Sequence, residues 1–138
     1  MTLKGPAPRP CESCPYRLDV PSGVWNAEEY EKLRDYDNPL IAQPCAVFQC
    51  HQTGRDDRNG RLCAGWVAVH GDDLLILRLG VAQGGIDPAV MSYSTDVPLF
   101  ESGTEAAEHG ERDIEHPGKR AREMVAKIVA SRDDVRFG

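Results

Sequence analysis

Five cysteines stand in this chain of 138 residues, and the spacing of four of them suggests ligation chemistry. Cys11 and Cys14 have two residues between them, a spacing that lets two thiolates converge on one ion from a tight turn. Cys50 and Cys63 have twelve residues between them, enough for two neighbouring segments to return to the same point. Soft thiolates select zinc, copper(I) or iron–sulfur clusters. Four of them complete a tetrahedral zinc site or the iron corners of a cluster. The alternative is a set of ordinary buried thiols, which behave as small hydrophobes. The surroundings argue against it, because Pro10, Glu12, Ser13, Pro15 and Arg17 flank the first pair and Cys63 follows a polar loop.

The remaining metal-binding side chains rank below these four. If residues 45–50 (CAVFQC) are extended, Cys45 and Cys50 lie an odd number of positions apart and point to opposite faces. Cys45 is then the spare thiol, expected to be buried, and replaces a ligand only if the segment bends. His51 adjoins Cys50 and is the best substitute ligand or supporting donor. His70 would lie about 10 Å beyond Cys63 along a helix, too far to share its ion. His109 and His116 sit in the polar C-terminal half and are expected to face solvent. Structural zinc sites commonly use two short knuckles, and here there is one. Lone closing cysteines, a proline directly after Cys14, and Trp66 as a shield tip the choice towards a 4Fe–4S cluster, with zinc the alternative.

The elements that must position these residues follow from local pattern. Residues 1–10 carry three prolines and read as an extended arm, leading into one domain over residues 11–138. Asn26 caps a helix containing Tyr30 and Leu33, closed by Asp37, Asn38 and Pro39. CAVFQC reads as a strand, and residues 51–61 with Asn59-Gly60 as a loop or hairpin tip. Residues 63–82 fit either a hairpin or two helices separated by Gly71; four leucines in the second half favour helices, with Asp72 or Asp73 as cap. Residues 84–98 read as irregular. Ser102 and Glu105 have capping-box spacing for a helix closed by Gly110. Pro117 opens a last helix whose Ala121, Met124, Val125, Ile128 and Val129 form an apolar stripe. The fold expected is mainly α with a small β element, a single compact domain stapled by a four-cysteine metal centre.

Composition narrows function. Hydrophobic residues at 41% and charged residues at 28% indicate a globular chain, and no stretch approaches the length of a bilayer span. The arm lacks the apolar core of a secretory signal, so a cytoplasmic location and reduced or metal-bound thiols are expected. A formal charge of −6 opposes general binding to nucleic acid. Lys119, Arg120 and Arg122 fit a solvated helix face, and Asp56 and Asp57 largely cancel Arg55, Arg58 and Arg61.

Three functions are compatible with these residues. The first is a metal-centred module that binds a protein partner and acts in regulation. The second is a cluster-dependent or thiol redox enzyme, disfavoured because Pro15 and the proline arm replace the strand-to-helix setting of a redox Cys-x-x-Cys. The third is a zinc-stabilised nucleic-acid-binding domain.

The pieces CPYR, CHQ and CAGW, with the YEKL helix and VPLFESGTEAAEHG, resemble an uncharacterised family of small cysteine-containing proteins of actinobacteria and their phages. The resemblance runs from Cys11 to Gly110. It implies that Cys11, Cys14, Cys50 and Cys63 are the matched cysteines and leaves Cys45 outside; no activity comes with it.

Overall fold

Helices dominate the computed structural model, which describes residues 5–50 and 61–131. Five α-helices follow in order: α1 Ala27–Asp35, α2 Ala64–His70, α3 Leu75–Ala82, α4 Gly103–Glu111 and α5 Lys119–Ser131. Short 3-10 turns cover Leu40–Ala42, Gly71–Asp73 and Pro88–Ser92. Among the described residues β pairing is confined to two isolated antiparallel bridges, Arg17 with Leu99 and Gln49 with Leu62. CAVFQC is therefore not the strand its composition suggests. With Pro44 at its start and one bridging residue, it finds no partner among the described residues long enough to form a ladder.

Asn26 starts α1 by accepting a hydrogen bond from the Glu29 N–H at 3.1 Å, and Glu28 and Glu29 place negative charge in the first turn. Its buried residues, Tyr30 and Leu33, face α4. Ser102 caps α4 through the Glu105 N–H. Gly110 lies inside α4 rather than closing it, because a Cβ there would meet the Tyr30 ring at 2.0 Å. The close α1–α4 approach is thus written in a small residue, not in a cap. Arg34 adds an ion pair to Glu111 across the same interface.

The segment 63–82 is helical, as the leucines suggest. Neither Asp72 nor Asp73 caps α3; Leu74 occupies that position without a side-chain bond. Instead Gln43 reaches in from the α1–α2 connection, accepting from the Leu75 N–H at 3.0 Å and donating to the Asp73 carbonyl at 2.8 Å. A buried amide from a distant segment has replaced local capping.

The main core joins Tyr16, Tyr30, Leu33, Tyr36, Phe48, Leu62, Trp66, Leu74 and Leu77. A second cluster forms where Ala121 and Ile128 of α5 cover Val20 and Val24, with Met124 and Val125 at its edge. The apolar stripe of α5 is packing surface, and Lys119, Arg120 and Arg122 are exposed on its other side. Residues 5–10 form neither helix nor strand, but they are held: the Tyr93 hydroxyl donates to the carbonyls of Ala7 and Pro8.

Candidate metal centre

Three separate segments bring the thiols together. The CPYR segment begins with two consecutive turns, in which the Cys14 N–H donates to the Cys11 carbonyl and the Arg17 N–H to that of Cys14. It is anchored to residues 97–100 by the Arg17–Leu99 bridge and to Trp25, whose indole N–H donates to the Ser13 carbonyl at 3.0 Å. The other two segments lie side by side around the Gln49–Leu62 bridge. There the Cys50 N–H donates to the Arg61 carbonyl and the Cys63 N–H to that of Phe48, both at 2.8 Å. Cys63 also occupies the N-cap position of α2.

The sulfurs form two close pairs. Cys14 Sγ is 3.8 Å from Cys63 Sγ, and Cys50 Sγ is 3.9 Å from Cys11 Sγ. None of the four is in a disulfide; Cys14 and Cys63 are buried, whereas Cys11 and Cys50 are half-buried. Each pair joins the CPYR segment to the Cys50–Cys63 segments, so neither is the local Cys-x-x-Cys. Among the described residues, no three His, Cys, Asp or Glu side chains converge in a closed metal site.

Proton sharing dominates the electrostatics. The Cys63 thiol hydrogen-bonds to Cys14, which lowers the Cys14 pKa and raises that of Cys63; burial reinforces the latter. The Cys11 pKa is raised by its bond to Cys50, by burial and by the charges of Cys50 and Cys14. Charge on Cys50 also acts on Cys14, and charge on Cys11 on Cys63, so the two pairs sense one another. Backbone N–H groups of Tyr16 and Gly65 donate to Cys14, and that of Trp66 donates to Cys63. Gly65 and Trp66 belong to the first turn of α2, whose N–H groups have no partner within the helix. The Arg17 guanidinium, paired with Asp19, adds a positive charge that both Cys11 and Cys14 feel.

Gly65 permits this approach. A Cβ at that position would lie 2.4 Å from Cys14 Sγ and 2.8 Å from Tyr16 Cβ. Its signal in the sequence is the glycine of CAGW, placed in a first helical turn where it costs helix propensity.

Cys45 is exposed rather than buried, and it has no part in either pair. His51 lies outside the described residues, as does most of the expected hairpin tip at 51–61. His70 is buried and its Nε2 is 2.9 Å from the Tyr16 hydroxyl, with Nδ1 3.8 Å from Asp37. It therefore belongs to a polar network one side chain removed from Cys14. A cleft of about 610 Å³ borders His70, Asp37, Gln43 and Asp73. His109 departs from the solvent-facing expectation: its Nε2 is hydrogen-bonded to the Val20 carbonyl, while His116 is exposed. Trp66 is fully buried, with its ring edge-on to Tyr36 at 5.3 Å.

These features define a small, mainly helical protein in which four thiols from three segments meet in two pairs. The chain belongs to DUF6283, a family of unknown function whose profile matches residues 6–132. No curated protein and no solved structure matches it.

Proposed function

We propose that Cys11, Cys14, Cys50 and Cys63 hold a metal centre that staples the domain, and that the protein is a regulatory module for a protein partner rather than an enzyme. The observation that carries the reading is the pair of sulfur separations, 3.8 and 3.9 Å. Thiolates on a tetrahedral ion, with Zn–S near 2.3 Å, lie about 3.8 Å apart. Each pair therefore has the length of one edge of a zinc tetrahedron. In a 4Fe–4S cluster every cysteine binds a different iron, which holds the thiolates further apart. The spacing thus favours zinc over the cluster that the sequence pattern favours. Zinc would draw the two edges into one cage, and the N–H donors of Tyr16, Gly65 and Trp66 together with Arg17 would offset its thiolate charge.

Support for a binding role is chemical. The chain is acidic, with a formal charge of −6, and Ile41 is 95% exposed in the turn after α1. His70, the obvious base beside the cleft, is engaged by Tyr16. A cytoplasmic site of action follows from the reduced thiols this centre requires.

The test is the metal and acid-labile sulfide content of anaerobically purified protein. One zinc per chain without sulfide is expected; iron with sulfide would replace zinc by a cluster, and no metal would refute the centre. Affinity capture with zinc-loaded and chelated protein tests the regulatory part. Identical partners for both forms would refute a metal-dependent role.

A further inference from the structure

The two sulfur pairs differ in exposure, and this asymmetry bears on how the proposed centre would respond to oxidants. Cys14 and Cys63 are 1% and 3% exposed, whereas Cys11 and Cys50 are half-buried. The pairing also crosses segments. Cys11 shares a turn with Cys14, yet its near sulfur is that of Cys50, 39 residues away in sequence. A disulfide needs about 2.05 Å between sulfurs, so closing the outer pair requires a movement of about 1.9 Å from 3.9 Å.

We infer that Cys11 and Cys50 form a peroxide-sensitive clasp: oxidation joins them in a disulfide, releases the metal and leaves Cys14 and Cys63 to react second. The inference rests on the four-thiolate zinc reading and deepens it by assigning regulation to the same site. The oxidant is hydrogen peroxide. One thiolate attacks the O–O bond, hydroxide departs, and a sulfenic acid forms. The second thiolate attacks that sulfur, a second hydroxide departs, and the S–S bond is made. Two electrons pass from the pair to one peroxide, and zinc leaves with its oxidation state unchanged. Two ligands remain, too few to complete the tetrahedron.

The same steps at the inner pair would produce a Cys14–Cys63 disulfide. Burial delays them, because peroxide must first reach the sulfur. Cys45 is exposed and outside both pairs, so peroxide reaches it independently of this sequence of disulfides.

The experiment is a hydrogen peroxide titration of the zinc-loaded full chain, with zinc release followed by a chromogenic chelator. Aliquots are alkylated, digested and mapped for disulfides. Glu12 lies between Cys11 and Cys14, so cleavage at glutamate separates them; cleavage at Phe48 separates Cys45 from Cys50. The Cys11–Cys50 link is expected to rise in step with zinc release, at least tenfold ahead of any other link at half-release. Of the four paired thiols, two are lost first and all four at the end. A Cys11–Cys14 link, a Cys14–Cys63 link formed first, or zinc retained after Cys11–Cys50 closure would each overturn the clasp. The Cys45→Ser variant should give the same order, and a changed order would overturn it as well. Metal content before peroxide separates the two ideas. A chain isolated without metal defeats the zinc reading and the release with it, whereas a zinc-loaded chain with the wrong links defeats the clasp alone.

Discussion

Replacing Gly65 by alanine tests whether Cys14 must sit where it does. At an open helical position Gly→Ala stabilises by up to about 1 kcal/mol, because alanine has the higher propensity. Here the new Cβ would lie 2.4 Å from Cys14 Sγ, and ordinary contact begins at 3.4 Å. If the helix holds, the sulfur must move by about 1 Å, several times the roughly 0.2 Å tolerance of a metal–ligand distance. The new Cβ would also crowd Tyr16 Cβ, at 2.8 Å. Crowding of this kind costs about 1–3 kcal/mol, so the scaffold should lose up to about 2 kcal/mol after the propensity gain. Zinc affinity should fall at least tenfold, since both the sulfur position and the N–H donor from residue 65 are disturbed.

Two measurements separate these effects. Urea unfolding in excess chelator reports on the scaffold, and competition with a zinc chelator reports on the site. Gly118→Ala is the control, because a Cβ there meets nothing within 4 Å. A Gly65→Ala protein that binds zinc like the wild type and is about 1 kcal/mol more stable would refute the reasoning. That result would mean α2 and the CPYR segment do not approach as described.

Other perturbations give distinct outcomes. Cys14→Ser should abolish metal content while Cys45→Ser leaves it intact, checked by elemental analysis of purified protein. Asp37→Ala should cost about 1 kcal/mol in urea unfolding, because Asp37 accepts from the Gly103 and Thr104 N–H groups and from the Thr104 hydroxyl at the start of α4. Burial holds the His70 pKa below its ordinary 6.5, with Asp37 and Asp73 pulling the other way and the Tyr16 and Tyr36 side chains packed beside it. The unfolded chain then binds this proton more readily, so the contribution is intact above pH 6.5 and is lost as pH falls below it. Wild type minus His70→Gln stability, followed by urea unfolding between pH 7.5 and about 4.5, should shrink on acidification; a difference independent of pH would contradict a buried neutral His70.

Where local chemistry decides a feature, the sequence reading holds. Asn26 caps α1, Ser102 caps α4, and the stripe of α5 faces inward, because each depends on residues within a few positions. Features set by distant residues were not legible. Gln43 caps α3 from 32 positions away, displacing the expected Asp72 or Asp73. Gly110 reads as a helix stop, yet the Tyr30 ring makes it an interior contact. CAVFQC has strand composition, but a strand requires a partner, and the single bridge it makes among the described residues does not supply a ladder.

The same division runs through the candidate centre. Spacing singles out four cysteines as candidates, but it does not say which sulfur lies beside which. The pairing follows from two tertiary constraints. The Gln49–Leu62 bridge sets Cys50 beside Cys63, and Gly65 lets α2 press against Cys14. The CPYR turn then offers Cys14 to the interior and Cys11 to the rim, and each finds a partner on the opposite segments. A metal bound there would join three segments whose β pairing, among the described residues, is confined to the isolated bridges Arg17–Leu99 and Gln49–Leu62.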